Sequence, residues 1–302
     1  MPNEQPLPEV VYHYTSMDTL LKIVETRSIW ATNINYLNDV LERKHCLASV
    51  RSRLSSADGK TSFGPIEEDQ GEKEERDSIR SLPFVASFSG ARDSLTQWRS
   101  YCPQGNGVCI GFRTESLNNA FLIPSRSEPG DEIWIEFGAV IYLDPSDTFA
   151  VDTMIRQALN KATESKAAHP DYTEVGFSRD LWFWSAIDEF ASRTKHISFA
   201  AEREFRLVVG GESGTLGMRY RTSRSTLVPF VLMGLPDPNG FLVWHPTPRF
   251  QIPDLPQPYF IDNVTIGPTP HPELSMDSLR SLFEDANRNV LVHSSEVPYR
   301  DW

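Results

Sequence analysis

Ile133-Trp134-Ile135-Glu136-Phe137-Gly138-Ala139-Val140-Ile141 is the stretch that decides the fold class. Ile133, Ile135, Phe137, Ala139 and Ile141 alternate strictly with the residues between them. Successive side chains on a strand point to opposite faces, so a half-buried strand is expected over 132–142. The next segment loses that period. Val151, Met154, Ile155, Ala158, Leu159 and Ala162 recur at helical spacing, as do Phe183, Trp184, Ile187, Phe190 and Ala191. Strand character returns at Glu204-Phe205-Arg206-Leu207-Val208-Val209, with Phe205, Leu207 and Val209 on one face. Strand, two helices and strand do not make a regular βαβ alternation. The reading is α+β: compact mixed or antiparallel sheets carrying a helical insertion at 148–196.

Toward the N-terminus, Val10 to Tyr14 is a short β-prone run, and Thr15 or Ser16 supplies an N-cap for a helix whose face is Met17, Leu20, Leu21 and Val24. Ser28–Thr32 reads as a second strand, and the turn-prone stretch 33–39 leads into a helix through Leu41, Leu47 and Leu54. Residues 55–80 carry four glycine or proline breaks among many glutamates and are expected to be a charged, mobile insertion facing water. Pro83–Ser89 resumes strand character. Trp98 and Tyr101 lie three apart, which puts both rings on one helix face. Gly105-Asn106-Gly107 turns the chain into the apolar strand Val108–Phe112. Ten of the 22 prolines fall between Pro229 and Pro270, so long regular elements are not expected there. Ile261–Pro268 reads as a strand ended by a turn, followed by a helix with Leu274, Leu279, Leu282 and Phe283 and a strand at Val290-Leu291-Val292. The whole, 1–302, is expected to form a single domain.

Composition narrows the function classes. The charge is 29 Lys+Arg minus 41 Asp+Glu, or −12. A chain this acidic repels a phosphate backbone in bulk, which argues against non-specific DNA binding and polybasic membrane docking, although a local basic groove is compatible with it. No apolar run approaches the roughly 20 residues of a spanning helix, and the start, Met1-Pro2-Asn3-Glu4, is not that of a secretory signal. Three cysteines, Cys46, Cys102 and Cys109, form no C-x-x-C pair. A cytoplasmic protein without a metal site is the expectation. Rossmann, Walker A, H-E-x-x-H and G-x-S-x-G motifs are all missing, so any chemistry must be assembled from side chains distant in sequence.

Four short segments combine unusual residue types with strand context: Tyr12-His13-Tyr14-Thr15, Ser87-Phe88-Ser89, Trp98-Arg99-Ser100-Tyr101 and Glu202-Arg203-Glu204. Read as a strand, the last puts Glu202, Glu204 and Arg206 on one face. Two carboxylates that close repel by about 1 kcal/mol or more, which a solvated edge tolerates and a pocket can exploit. Taken singly, each segment reads more simply as structure, His13 as a buried histidine satisfied by a carbonyl and the Trp98–Tyr101 pair as core.

Phe84 to Phe112, with Ser87-Phe88-Ser89, Trp98-x-x-Tyr101 and Gly107-Val108-Cys109-Ile110-Gly111-Phe112, resembles the bacterial family called domain of unknown function 2971. Tyr12-His13-Tyr14, Asn38-Asp39-x-x-Glu42, Glu202-x-Glu204-x-Arg206 and Ile261-x-x-Val264-x-Ile266-Gly267-Pro268 agree with it in order. A second resemblance is to the ADP-ribosyltransferases, which split the nicotinamide–ribose bond of NAD in a compact α+β fold. It implies His13 as hydrogen-bond donor to the adenosine ribose, with Tyr14 and Thr15 holding the nicotinamide amide through their backbone. It further implies Ser87 or Ser89 positioning the catalytic glutamate, Glu204 in that catalytic role, and Trp98 or Tyr101 stacking on nicotinamide. The tyrosine of a His-Tyr-Glu triad falls to Tyr36 or Tyr101. NAD would be the substrate and a small-molecule nucleotide the partner, the acceptor, protein or nucleic acid, being left open. A toxin or phage-defence setting goes with the resemblance. Two alternatives share the pocket. One is NAD hydrolysis or RNA attack with His13 as base and Arg206 clamping phosphate. The other is a non-catalytic nucleotide- or protein-binding module with Trp98, Tyr101 and Trp134 as its surface.

Overall fold

The computed structural model describes residues 7–37, 40–67, 83–102, 105–123, 133–144, 146–168, 179–211, 216–223, 225–238, 259–285 and 288–298. The Asn38-Asp39 motif, residues 68–80 of the charged segment and residues 239–258 of the proline-dense stretch lie outside them. The elements run β1 (Val10–Ser16), α1 (Met17–Thr26), β2 (Ser28–Asn33), α2 (Val40–Ser55), α3 (Ala57–Phe63), β3 (Phe84–Ser89), α4 (Leu95–Tyr101), β4 (Gly107–Arg113), α5 (Thr114–Asn118) and β5 (Phe121–Ile123). They continue β6 (Ile133–Ala139), β7 (Ile141–Leu143), α6 (Thr148–Ala168), α7 (Arg179–Ser192), β8 (Thr194–His196), β9 (Glu204–Gly211), β10 (Arg219–Ser223), β11 (Thr226–Gly234), β12 (Ile261–Ile266), α8 (Pro272–Asp285) and β13 (Leu291–Ser294). The fold is α+β, as its periodicities imply.

Ser16 caps α1 by accepting from the Thr19 N–H, which fixes the choice between Thr15 and Ser16. Eleven strands join one sheet whose main path is β10-β11-β2-β3-β1-β4-β12-β13, with β5 beside β11 and β9 and β6 added beyond β3. All of its pairings are antiparallel except β12 with β13. The strand read over 132–142 is two elements. It breaks at Val140, where β6 leaves the sheet, and β7 turns to pair in parallel with β8. Pro229 sits inside the nine-residue β11, in a region where proline density argued against long strands. It is tolerated because β2 takes up pairing only from Phe230 onward, so Pro229 faces β10 alone.

β3 organises the site. One edge pairs with β9 along its whole length. On the other edge, β2 pairs with Phe84 and Val85, while β1 touches only Ser89 through Tyr12. Between these contacts β1 and β2 diverge from Ala86-Ser87-Phe88 and leave a fork in the sheet. One face of the sheet carries the main apolar core, where Phe84, Ala86, Phe88, Ile110, Phe112, Leu207 and Val209 pack beneath Leu20 and Ile23 of α1 and Leu279 and Phe283 of α8. A second core joins α2, α3, α6 and α7 through Cys46, Val50, Phe63, Ile155, Phe183 and Ile187. Residues 55–67 of the segment expected to be solvated are therefore partly anchored. Phe63 is buried in that core, and Glu67 accepts from the Trp184 indole through its carbonyl. The two helices of 148–196 do not interrupt the sheet, because β9 returns between β3 and β6.

Candidate functional site

A cavity of about 280 Å³ occupies the fork. Its wall includes Tyr12, His13 and Tyr14 from β1, Trp30 and Thr32 from β2, Ser87 and Ser89 from β3, Gln97 and Tyr101 from α4, Glu202, Glu204, Arg206 and Arg221. Segments from the start of the chain and from two-thirds of the way along it meet here because β3 lies between β1 and β9. The register aligns Tyr12, Ser89 and Glu204 in one row and Ser87 with Arg206 in the next, so their side chains share a face.

His13 fills the gap where strand pairing stops. Its Nδ1 lies 2.9 Å from the Ser87 carbonyl oxygen, an acceptor, so Nδ1 carries the hydrogen. The ring packs against Phe88 and Phe112, with centroids at 5.8 and 6.4 Å. Burial lowers its pKa and outweighs the Ser87 hydrogen bond, keeping the ring neutral. Nε2 is then an acceptor and not the donor that the resemblance implied.

Glu204 opens β9 and is buried. Its carboxylate receives Arg206 Nε at 2.8 Å and Lys195 Nζ at 3.1 Å, and the backbone N–H of Glu204 donates to Tyr142 Oη at 2.8 Å. Burial pushes the carboxyl upward. Arg206, Lys195 and the Ser87 hydroxyl together overcome it and hold Glu204 below the ordinary carboxylate value. Arg206 is committed as well, since its Nη1 donates to the Ser192 carbonyl at 2.9 Å. A phosphate clamp at Arg206 is thereby displaced by this internal bonding.

Glu202 does not share a strand with Glu204. It ends a 3-10 helix, Ile197–Glu202, and Arg203 takes a left-handed conformation (φ 48°) before β9 begins. The kink nevertheless returns the Glu202 carboxylate to the cavity, where it meets Lys195 Nζ at 2.9 Å. Its side chain keeps 21% exposure against 8% for Glu204. Ser89 Oγ donates to the Glu202 carbonyl at 3.0 Å and fixes this turn against β3.

Other expected residues separate. Thr15 does not line the cavity, and its carbonyl accepts from Cys102 Sγ. Trp98 is buried edge-on to Tyr14 at 4.8 Å and donates from Nε1 to Asp93 at 2.6 Å, so it packs behind the wall. Tyr101, on the last turn of the short α4, is 43% exposed and stands at the rim. Tyr14 lines the cavity, yet its hydroxyl is occupied, donating to the Ala91 carbonyl at 2.7 Å and accepting from the Ser94 N–H at 3.0 Å. Tyr36 lines the cavity, while Trp134 packs with Val85 and Val208 apart from it. Lys195, almost fully buried, was not foreseen; its only sequence signal is a lysine inside the β-prone triplet Thr194-Lys195-His196. Arg221 was also missed, though Arg219 and Arg221 at a two-residue spacing mark one face of a strand. Among the described residues no group of His, Cys, Asp and Glu is placed to hold a metal ion, and no helix is long and apolar enough to cross a membrane. The three cysteines are free thiols.

Residues 97–207 match the model of a family described as "Protein of unknown function (DUF2971)". This is the family to which the motifs pointed. The matched span holds Trp98-x-x-Tyr101, Gly107–Phe112 and Glu202-x-Glu204-x-Arg206, whereas the His13 and Ser87 segments precede it. No curated protein and no solved structure matches the chain.

Proposed function

We propose that this chain binds NAD in the fork of its sheet and cleaves the nicotinamide–ribose bond, passing ADP-ribose to an acceptor in the manner of an ADP-ribosyltransferase. The reading is supported by one observation above others: His13, Ser87, Glu202 and Glu204, drawn from distant segments, line one cavity. In the reaction the C1′–N bond breaks and its electron pair returns to the nicotinamide ring nitrogen. An oxocarbenium-like ribose remains, and the acceptor nucleophile closes on C1′. A carboxylate held beside C1′ stabilises charge that appears only in the transition state. Glu204, shared between Arg206 and Lys195, has little charge to spare; its part is to fix those two cations. Glu202, more open and bonded to Lys195, is the carboxylate that faces the ribose. His13 Nε2 accepts from a ribose hydroxyl, and Tyr101 at the rim stacks on a ring.

The test incubates the full chain with NAD labelled in the nicotinamide. Release is expected, and Glu202→Gln should slow it by about 10²–10³ while the fold is kept. Unchanged release by that variant removes the mechanism. Nicotinamide release with free ADP-ribose as its sole co-product would make the enzyme a hydrolase, RNA scission in the absence of NAD would favour a nuclease, and binding without either reaction would leave a non-catalytic module.

A further inference from the structure

Around the cavity, counting Lys195 behind its wall, three cations stand against two carboxylates. Glu202 and Glu204 are matched by Lys195 and Arg206, each carboxylate within 3.1 Å of a cation. Arg221 is left over. It reaches the cavity from β10, on the β2 side of the fork, and no carboxylate pairs with it among the described residues. Among the described residues its side chain makes one long hydrogen bond, from Nη2 to Thr32 Oγ1 at 3.4 Å, and its Nε is enclosed without a partner. Burial alone lowers its pKa, with no anion pulling the other way. A half-buried guanidinium with no anion is only partly hydrated, and its planar fork suits two phosphate oxygens.

We propose that Arg221, supported by Thr32, is an anion subsite that holds a phosphate group of a nucleotide. This rests on the nucleotide reading above and gives the ligand an orientation: phosphate at the β10–β2 wall, ribose toward Glu202. Calorimetric titration of the full chain with ADP-ribose, adenosine and inorganic pyrophosphate tests it. ADP-ribose should bind, adenosine should bind at least about tenfold more weakly, and Arg221→Gln should weaken ADP-ribose about tenfold or more while leaving adenosine unchanged. Arg221→Lys, which keeps the charge but not the fork, should fall between, and serves if the glutamine variant misfolds. The proposal is overturned if ADP-ribose does not bind, or if it binds the variants within twofold of the native chain. It is also overturned if pyrophosphate alone binds as tightly as ADP-ribose. Nicotinamide release is read separately. Arg221-dependent ADP-ribose binding without release would sink the cleavage reading and keep the subsite.

Discussion

Glu204→Gln separates the structural role of this carboxylate from any catalytic one. The substitution keeps size and one carbonyl oxygen but turns an NH2 group toward Arg206 and Lys195, which are themselves donors. Near 3 Å, with an effective dielectric of about 20, each lost ion contact is worth about 5 kcal/mol before desolvation is counted. Desolvation cancels much of that. Removing one partner of a buried pair costs about 3–5 kcal/mol, because the other charge is left uncompensated. At about 2.1 cal/mol/K of unfolding entropy per residue, that lowers the melting temperature of the 302-residue chain by roughly 5–8 °C. Glu202→Gln, at the more open site, should cost under about 1 kcal/mol. Thermal melts of the two variants are the assay. The pH dependence carries the sign. Since Glu204 is held below its unfolded value, its stabilisation is present above about pH 4.5 and is lost as pH falls through its depressed folded value. Native and Glu204→Gln curves should therefore converge in acid. A Glu204→Gln melt within about 2 °C of native at pH 7, or a gap that persists undiminished to pH 2, refutes the charge-network reasoning.

Two further outcomes are expected. Glu136 on β6 is pushed up to about 7, first by burial and then by hydrogen bonding to Glu189, with Arg193 at 2.8 Å opposing. Its stabilisation is full below about pH 4.5 and gone above about 7, so Glu136→Gln, which mimics the protonated form, should match native stability at pH 5 and exceed it at pH 8 in denaturant titrations. Equal pH slopes for the two would contradict this. Tyr14→Phe removes a buried hydroxyl that bonds the backbone at Ala91 and Ser94, and should cost about 1–3 kcal/mol in urea unfolding without changing nicotinamide release. A selective loss of turnover would instead place that hydroxyl on the substrate.

Much of the scaffold was legible because period-two alternation is a local property. Ile133, Ile135 and Phe137 do face the core, and β9 carries Leu207 and Val209 into it. The break at Val140 was not, since the alternation runs on through Ile141 and only the competing pairing with β8 ends it. His13, Ser87 and Glu204 stood out by residue type. Their roles did not, because a histidine's tautomer is set by Ser87, 74 residues away, and a glutamate's charge is shared by Lys195 as well as by Arg206 two residues on. A strand model put Glu202 beside Glu204, and the left-handed Arg203 between them changed the backbone while keeping the side chain on the cavity. Trp98 and Tyr101 share a helix face in projection, but α4 is short enough for one ring to point beneath Tyr14 and the other to stand at the rim.

The imidazole at position 13 occupies the place of a neighbouring strand. Opposed backbones in an antiparallel sheet settle about 4.8 Å apart when nothing lies between them. Here β1 meets β3 at Ser89 and would continue along it, yet the Ser87 carbonyl is taken by a ring nitrogen instead of a peptide N–H. One rigid five-membered ring thus acts as a spacer that keeps two halves of a sheet from zipping shut. The width of the chamber is therefore set by the dimensions of a single side chain rather than by any loop.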